Sequence, residues 1–308
     1  MSHSQECSLQ VHHNELANNQ WISPSIMNTK WSNWYPLECA SRNQAIPNTS
    51  GLYRVRRPEH LSLEYLGQTG GSLRSRLGHL HGVFGDEIPY ADPHTAAPGL
   101  WALRQDLNCD YEVSVAEVSG DTSYRKGREC LEISHHRIEH HRSPTMNFGR
   151  MPEGWIKSSG NNRRLVITGK RFRGYRNAGE GRIPDAPPPL DLHSDPMSDN
   201  WMGLPWQEFC VSQTQVKMVG LYRALHQTNN SLIYVGQSSA SIAGRVLAHM
   251  AKSTKPNHRQ HSFFDKSVIW QWANMYELNR TQLLEIENDL IASHMLAHDR
   301  PPNAQFLG

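Results

Sequence analysis

The sequence has no apolar run approaching the ~20 residues that a helix needs to cross a bilayer, so no membrane-spanning helix is expected. Its start, Met-Ser-His-Ser-Gln-Glu-Cys, lacks the basic end and apolar block of a secretory signal. Cysteine is scarce. The five residues (Cys7, Cys39, Cys109, Cys130, Cys210) are odd in number, and none forms a Cys-x-x-Cys pair. That argues against a disulfide framework or a structural zinc finger, and makes a reducing, cytoplasmic setting the expectation. Net charge is also small. The 31 Lys and Arg against 29 Asp and Glu leave +2, which excludes a uniformly basic protein but not a local basic face.

What is present suits two domains. At ~100–200 residues per domain, 308 residues allow two, and 37% hydrophobic content supplies a core for each. A mean hydropathy of −0.64 indicates a polar surface. Histidine is abundant, with 18 residues that could carry chemistry or a pH-dependent charge.

An internal repeat organises the chain. Residues 51–77 read GLYRVRRPEHLSLEYLGQTGGSLRSRL, and residues 220–246 read GLYRALHQTNNSLIYVGQSSASIAGRV. They align without a gap from Gly51 on Gly220 to Arg76 on Arg245, and the spacing is that of a domain rather than a solenoid unit. Each copy reads as a strand, a polar turn and a second strand (Leu63–Gly67, Leu232–Gly236), which makes a hairpin. A turn then leads to a helix capped by Ser72 or Ser241, with Arg76 or Arg245 on its first turns. Helix N-terminal N–H groups, a bidentate Arg and two neighbouring tyrosines suit a phosphate substrate.

These residues resemble the GIY-YIG nuclease superfamily. Gly-Leu-Tyr, a spacer, Tyr-Leu-Gly or Tyr-Val-Gly and a helical Arg are its opening motifs. A helical Glu, a Pro and an Asn close the pattern as Glu287, Pro302 and Asn303 in the second copy, and as Glu129, Pro144 and Asn147 in the first. The shared Glu-x-x-x-Ile phase selects Glu129, with Glu132 one turn away as the other candidate. The family histidine matches His249; the first copy has Leu80 there, between His79 and His81.

The resemblance implies an α+β fold of two GIY-YIG-like domains, each a small, mainly antiparallel sheet flanked by helices, joined as a pseudo-dimer. The boundaries are 1–150 for an N-terminal arm plus the first domain (motifs 51–147), 151–200 for a basic connector and Pro/Asp-rich linker, and 201–308 for the second domain (motifs 220–303). It implies catalytic roles for Tyr53, Tyr65, Arg76, Glu129 and Asn147, and for Tyr222, Tyr234, Arg245, His249, Glu287 and Asn303. Mg²⁺ or Mn²⁺ would be held by Glu129 and Glu287. Tyr53 and Tyr222 would be general bases, and the arginines would neutralise phosphate charge.

Between the repeats, residues 150–182 carry nine Lys or Arg and only two acids, Glu153 and Glu180, with aromatics interleaved. Lys157, Arg163, Arg164, Lys170, Arg171, Arg173 and Arg176 are read as a DNA-contacting surface, with Leu165–Thr168 as a strand. Residues 183–200 read as an extended spacer. The insertion 82–100 and the segment Lys252–His261, with Lys252, Lys255 and Arg259, are candidates for sequence readout. The run His135–His141 places His136 and His140 at metal-ligand spacing without further ligands, and is read as a solvated helix face. Residues 1–20 are expected to be poorly ordered, and Trp21, Trp31 and Trp34 to pack on the first domain.

Without a Cys-rich zinc module, or room for the extra domains of repair members, the chain resembles stand-alone type II restriction enzymes of the family. The expectation is a site-specific double-stranded DNA endonuclease, one site per strand, acting as a monomeric pseudo-dimer in restriction or phage defence. The alternatives are a structure-specific repair or mobile-element nuclease, and a non-catalytic DNA-binding protein.

Overall fold

The computed structural model describes residues 29–210, 218–228, 231–264 and 267–307; Trp21 and residues 1–20 lie outside them. Two four-stranded antiparallel sheets dominate. The first uses β1 (Tyr35–Pro36), β2 (Gly51–Arg56), β3 (Tyr65–Thr69) and β4 (Glu112–Glu117) in the order β1-β4-β2-β3. Helices α1 (Leu73–Gly78) and α2 (Ala97–Leu107) lie between β3 and β4, and α3 (Thr122–His140) follows.

A ribbon of β5 (Trp155–Ile156) and β6 (Tyr175–Arg176) holds the short α4 (Arg163–Ile167) at its tip. The second sheet uses β7 (Gln207–Glu208), β8 (Gly220–His226), β9 (Ser231–Ser238) and β10 (Val268–Asn274) in the order β7-β10-β8-β9. Helix α5 (Ile242–Met250) follows β9, and α6 (Arg280–His298) follows β10.

The alternation of β2 and β8 explains the layering. In the first sheet Tyr53, Val55, Val113 and Val115 pack toward Leu73 and Leu77 of α1, while Leu66 meets Ile133 of α3 on the other face. In the second, Tyr222 and Ala224 pack toward Ile242 and Val246 of α5, while Leu221 and Val235 meet Leu290 and Ile291 of α6. The two tyrosine hairpins share one register: Tyr53 lies opposite Gly67, and Tyr222 opposite Gly236.

Helices α3 and α6 have the same length, 19 residues. Asp121 caps α3 by accepting from the Tyr124 N–H, and Asn279 and Gln282 form a capping box on α6. Both end in a left-handed residue, His141 or Asp299. The helices pack on each other through contacts related by exchanging them. Gly127 of α3 lies under Met295 of α6; a Cβ there would sit 2.4 Å from the thioether sulfur. At the other end Arg137 of α3 meets Glu285 of α6 at 3.0 Å. Counting from Thr122 and Arg280, Gly127 matches Glu285 and Arg137 matches Met295, so one contact is built twice with different chemistry. Arg137 also bonds Asp289 at 3.1 Å, and Asn288 donates to the Cys130 carbonyl at 3.0 Å. Removing one partner from so buried an ion pair costs about 3–5 kcal/mol, because the other charge stays buried.

Three expectations are corrected. Leu165–Thr168 is not a strand: it falls on α4 and its C-cap, where Asn162 accepts from the Leu165 N–H and the Val166 and Thr168 N–H groups bond the Asn162 and Arg164 carbonyls within the turn. Arg150, at the head of the basic stretch read as a DNA-contacting surface, does not lie on the surface. It is buried and bonds Glu285 at 2.7 Å. The run His135–His141 is a solvated face only in part: Ile138, Glu139 and His141 are exposed, but its other side turns inward. His136 is buried, accepts from the Leu63 N–H at Nε2 (2.9 Å) and donates from Nδ1 to the Arg142 carbonyl (2.9 Å), so neither ring nitrogen is free for a metal. Residues 183–200 hold no helix or strand but are well seated: Ala186 donates to Glu285, the Pro187 carbonyl accepts from Arg137, and Leu192 is buried.

Candidate active site

Each tyrosine pair is brought together by its hairpin. Tyr53 and Tyr65 lie on one face of the sheet with ring centroids 6.0 Å apart, and Tyr222 and Tyr234 repeat the spacing at 6.0 Å. The Gly of each Tyr-x-Gly is required by this crossing. A Cβ at Gly67 would lie 2.6 Å from the Tyr53 hydroxyl, and one at Gly236 would lie 2.4 Å from the Tyr222 ring.

In the first half, Arg76 leaves α1 and donates from Nε to the Tyr53 hydroxyl at 3.2 Å and from a terminal nitrogen to the Pro93 carbonyl at 2.7 Å. The histidine at this site is neither His79 nor His81. It is His94, which arrives on the insertion 82–100 with Nε2 2.7 Å from the Tyr53 hydroxyl. Its Nδ1 accepts from the Ala96 N–H at 3.2 Å, so the neutral ring carries its proton on Nε2 and donates it to the phenol. Burial and the Arg76 charge hold His94 well below the usual histidine pKa. The Tyr53 oxygen thus accepts two hydrogen bonds. Burial pushes its pKa up to about 12, and Arg76 opposes the rise.

The second half reaches a related cluster by another route. His249, one turn past Arg245 on α5, has Nε2 3.3 Å from the Tyr222 hydroxyl, and its ring lies 4.6 Å from Tyr234. Lys252 donates to His249 Nδ1 at 3.3 Å and to Gln260 at 2.8 Å. Burial and Lys252 lower His249 to about 4. Burial raises Tyr234 to about 12 and Tyr222 further. Arg245 is exposed, and its side chain makes no hydrogen bond with a described group.

Each cluster has one carboxylate. Glu129 on α3 acts electrostatically on Tyr53, Tyr65 and Arg76, and burial lifts its pKa to about 7. Glu287 on α6 acts on Tyr222 and Tyr234, and burial lifts it to about 8. Glu132, the other candidate, is taken up by Thr29 and Arg128. The buried Cys130 thiol is raised by burial and feels the charge of both Glu129 and Glu287, so both carboxylates lie near the α3–α6 seam.

No described side chain hydrogen-bonds Glu129 or Glu287, and no group of three or more His, Cys, Asp or Glu converges among the described residues. A lone, half-buried carboxylate without a protein partner fits a divalent cation that keeps its waters and takes phosphate oxygens, and does not fit a zinc-type cage.

The two asparagines paired by the motif are not placed alike. Asn147 bridges β3, accepting from the Leu66 N–H at 2.9 Å and donating to the Leu66 carbonyl at 2.8 Å. Its counterpart is not Asn303, which is exposed, but Gln305, which is buried and accepts from the Val235 N–H at 3.1 Å. The same distance separates Glu129 from Asn147 and Glu287 from Gln305, so the helix-to-loop spacing decides the match.

The expected DNA-contacting cations divide. Arg163, Arg164, Lys170 and Arg171 are exposed, as are Lys255 and Arg259. Arg173 is anchored to the Ile88 carbonyl and Arg176 to Asp106. Lys157 is half-buried, and its charge depresses His94. Lys252 is engaged as described.

Residues 218–295 match the model of the GIY-YIG catalytic domain, a domain typical of endonucleases. The matched span holds Tyr222, Tyr234, Arg245, His249 and Glu287, and covers about a quarter of the chain. No curated protein and no solved structure matches the chain. Among the described residues, no helix is long and apolar enough to cross a membrane.

Proposed function

We propose that the chain is a divalent-metal-dependent endonuclease of double-stranded DNA built from two fused GIY-YIG-like halves, each cutting one strand. The observation that carries this reading is the pair of Tyr-Tyr-His-Arg-Glu clusters, one per sheet, set on two helices whose mutual contacts are related by exchange. These features support reading the chain as a symmetric dimer written into one polypeptide, which would match a duplex with antiparallel strands.

At each site the chain's own groups divide the work. Tyr53 or Tyr222 first gives its phenolic proton up to solvent and then, as the phenolate, takes a proton from the attacking water. Two donors on Tyr53, Arg76 Nε–H and His94 Nε2–H, stabilise its phenolate once the proton leaves. Tyr65 and Tyr234 hold the water and phosphate in line. Arg76 and Arg245 neutralise charge developing on the phosphate. Glu129 and Glu287 would each hold one Mg²⁺ or Mn²⁺, which when bound supplies a Lewis acid and neutralises the leaving oxygen. Asn147 and Gln305 tie the loop after each helix to the tyrosine strand.

The compact halves favour recognition of a sequence in intact duplex, in the manner of a restriction enzyme of phage defence. Digestion of unmethylated plasmid with Mg²⁺, followed by sequencing of the ends, tests this. Discrete fragments with one defined end sequence are expected. Cutting confined to flaps or branched DNA would replace it with the structure-specific reading, and absence of cutting with Mg²⁺ or Mn²⁺ would overturn nuclease activity itself.

A further inference from the structure

The ribbon of β5 and β6 is built to stay rigid while its tip stays bare. Trp155 pairs with Arg176 and Ile156 with Tyr175. Beyond the strands, the Ser159 N–H donates to the Phe172 carbonyl and the Phe172 N–H to Ser159 Oγ. Gly174 is pressed against the opposite strand, where a Cβ would lie 2.2 Å from the Ile156 carbonyl. At the base, the Trp155 ring stands edge-on to Trp101, and its Nε1 donates to Asp106 at 2.9 Å.

The ribbon is also tied to the first site. The Ala91 N–H donates to the Ser159 carbonyl at 3.1 Å. Two residues further on, the Pro93 carbonyl accepts from Arg76, and the next residue is His94. The same loop therefore carries the catalytic-site histidine and holds the ribbon.

The tip has an unusual surface. Val166 is 46% and Ile167 71% exposed, and α4 buries no residue. From Gly154 to Gly179 there are seven Lys or Arg and no Asp or Glu. The cations bracket the apolar pair, with Arg163 and Arg164 before it and Lys170 and Arg171 after it. An acidic protein surface would match the charges but not the apolar pair between them. A duplex groove matches both, since two phosphate lines flank base edges that are partly apolar.

We infer that residues 157–173 form a finger that enters a groove of duplex DNA beside the first site. Arg163, Arg164, Lys170 and Arg171 bind the flanking phosphates, and Val166 and Ile167 press on the base edges and help set sequence preference. This rests on the endonuclease reading, but its test reads binding and not cutting.

The test uses the full chain carrying Glu129→Gln and Glu287→Gln, with a mixed-sequence 30-base-pair duplex, and follows fluorescence anisotropy against NaCl. Replacing the four tip cations by Ala is expected to reduce the slope of log affinity against log salt by about 3–4. Val166→Ser with Ile167→Ser is expected to leave the slope unchanged, weaken binding about tenfold, and change the sequences enriched from a randomised duplex library. All six side chains are exposed, and Arg171 bonds Asn161 and lies over Tyr90 only at the surface, so the melting temperature should move little. An unchanged slope in the cation variant overturns the finger as a DNA contact. Unchanged affinity and unchanged selected sequences in the apolar variant overturn groove entry. If the parent binds no duplex and the wild type cuts none, the endonuclease reading fails with it.

Discussion

The two sites hold the same residue types but hold them differently. In the first, Arg76 is half-buried and locked, bonded to both Tyr53 and the Pro93 carbonyl, and His94 comes from a long insertion. In the second, Arg245 stands in solvent, and His249 comes from the same helix, packed against Trp270 at 5.6 Å and Phe264 at 5.0 Å. A histidine can therefore reach the tyrosine from either side of the chain, provided its neutral Nε2–H meets the phenol. The difference also separates a pre-set site from one whose arginine is free to close on a phosphate. Pre-organised donors do not have to be ordered at the moment of reaction, so the first site should cut faster.

Breaking one site at a time tests the comparison most strongly. Glu129→Gln should leave a nickase for one strand, and Glu287→Gln a nickase for the other, each losing at least about 10²–10³-fold on its own strand. Strand-specific end labelling of a supercoiled plasmid checks this. Loss of both strands from either single change would mean that the halves do not cut independently.

The histidines give the next largest effect. His94→Ala should slow the first strand about 10²-fold, because Tyr53 loses a donor at 2.7 Å and Arg76 alone remains. His249→Ala should cost about tenfold, since its contact with Tyr222 is longer, at 3.3 Å. Single-turnover rates on each labelled strand distinguish the two. Equal losses would remove the contrast between a locked and an open site.

The carboxylates then add a pH signature. Glu129 holds its proton to about 7 and Glu287 to about 8, and each must ionise before a cation binds. As pH falls from 8 toward 6, second-strand cutting should fall further than first-strand cutting, by up to about tenfold for a one-unit difference. Nicked circles should therefore accumulate near pH 6.5 and linear DNA near pH 8.5. The stability effect has the opposite sense. Both pKa values are raised on folding, so the native state holds protons that the unfolded chain releases above pH 4.5. Stability from this source is lost as pH rises through 7–8.

Much of this contrast was legible in the sequence, because the tyrosine hairpin, capped helix, arginine and glutamate are local patterns at fixed spacing. Tyr53, Tyr65 and Arg76 lie together, as do Tyr222 and Tyr234, and Glu129 and Glu287 each act electrostatically on their own tyrosines. His94 was not legible, because its position depends on the path of an insertion that has no counterpart of the same length in the second half. Nor was the inward turn of His136, since a run of histidines looks polar until each ring nitrogen is seen to meet a backbone group. The basic stretch was legible as charge but not as structure. Arg150 is buried on Glu285, Arg173 and Arg176 are tied to Ile88 and Asp106 at the surface, and four further exposed cations gather at one tip.

The smallest expected effect sharpens the comparison at its quietest residue. Asn303 fits the family pattern by identity and proximity to Pro302, whereas Gln305 fits by geometry. Asn303→Ala should change stability by no more than about 0.5 kcal/mol, as for other exposed positions. Gln305→Ala leaves the buried Val235 N–H without its acceptor and should cost about 1–3 kcal/mol, read from urea melts. Gln305→Asn tests the reach: the first half spans the same gap with Asn147, whose loop sits close enough for bonds of 2.9 and 2.8 Å to Leu66. If the second loop stands one methylene further from its strand, the shorter side chain should recover only part of the loss. Full recovery would show that the two loops sit at the same height, and that the change from Asn to Gln carries no geometric meaning.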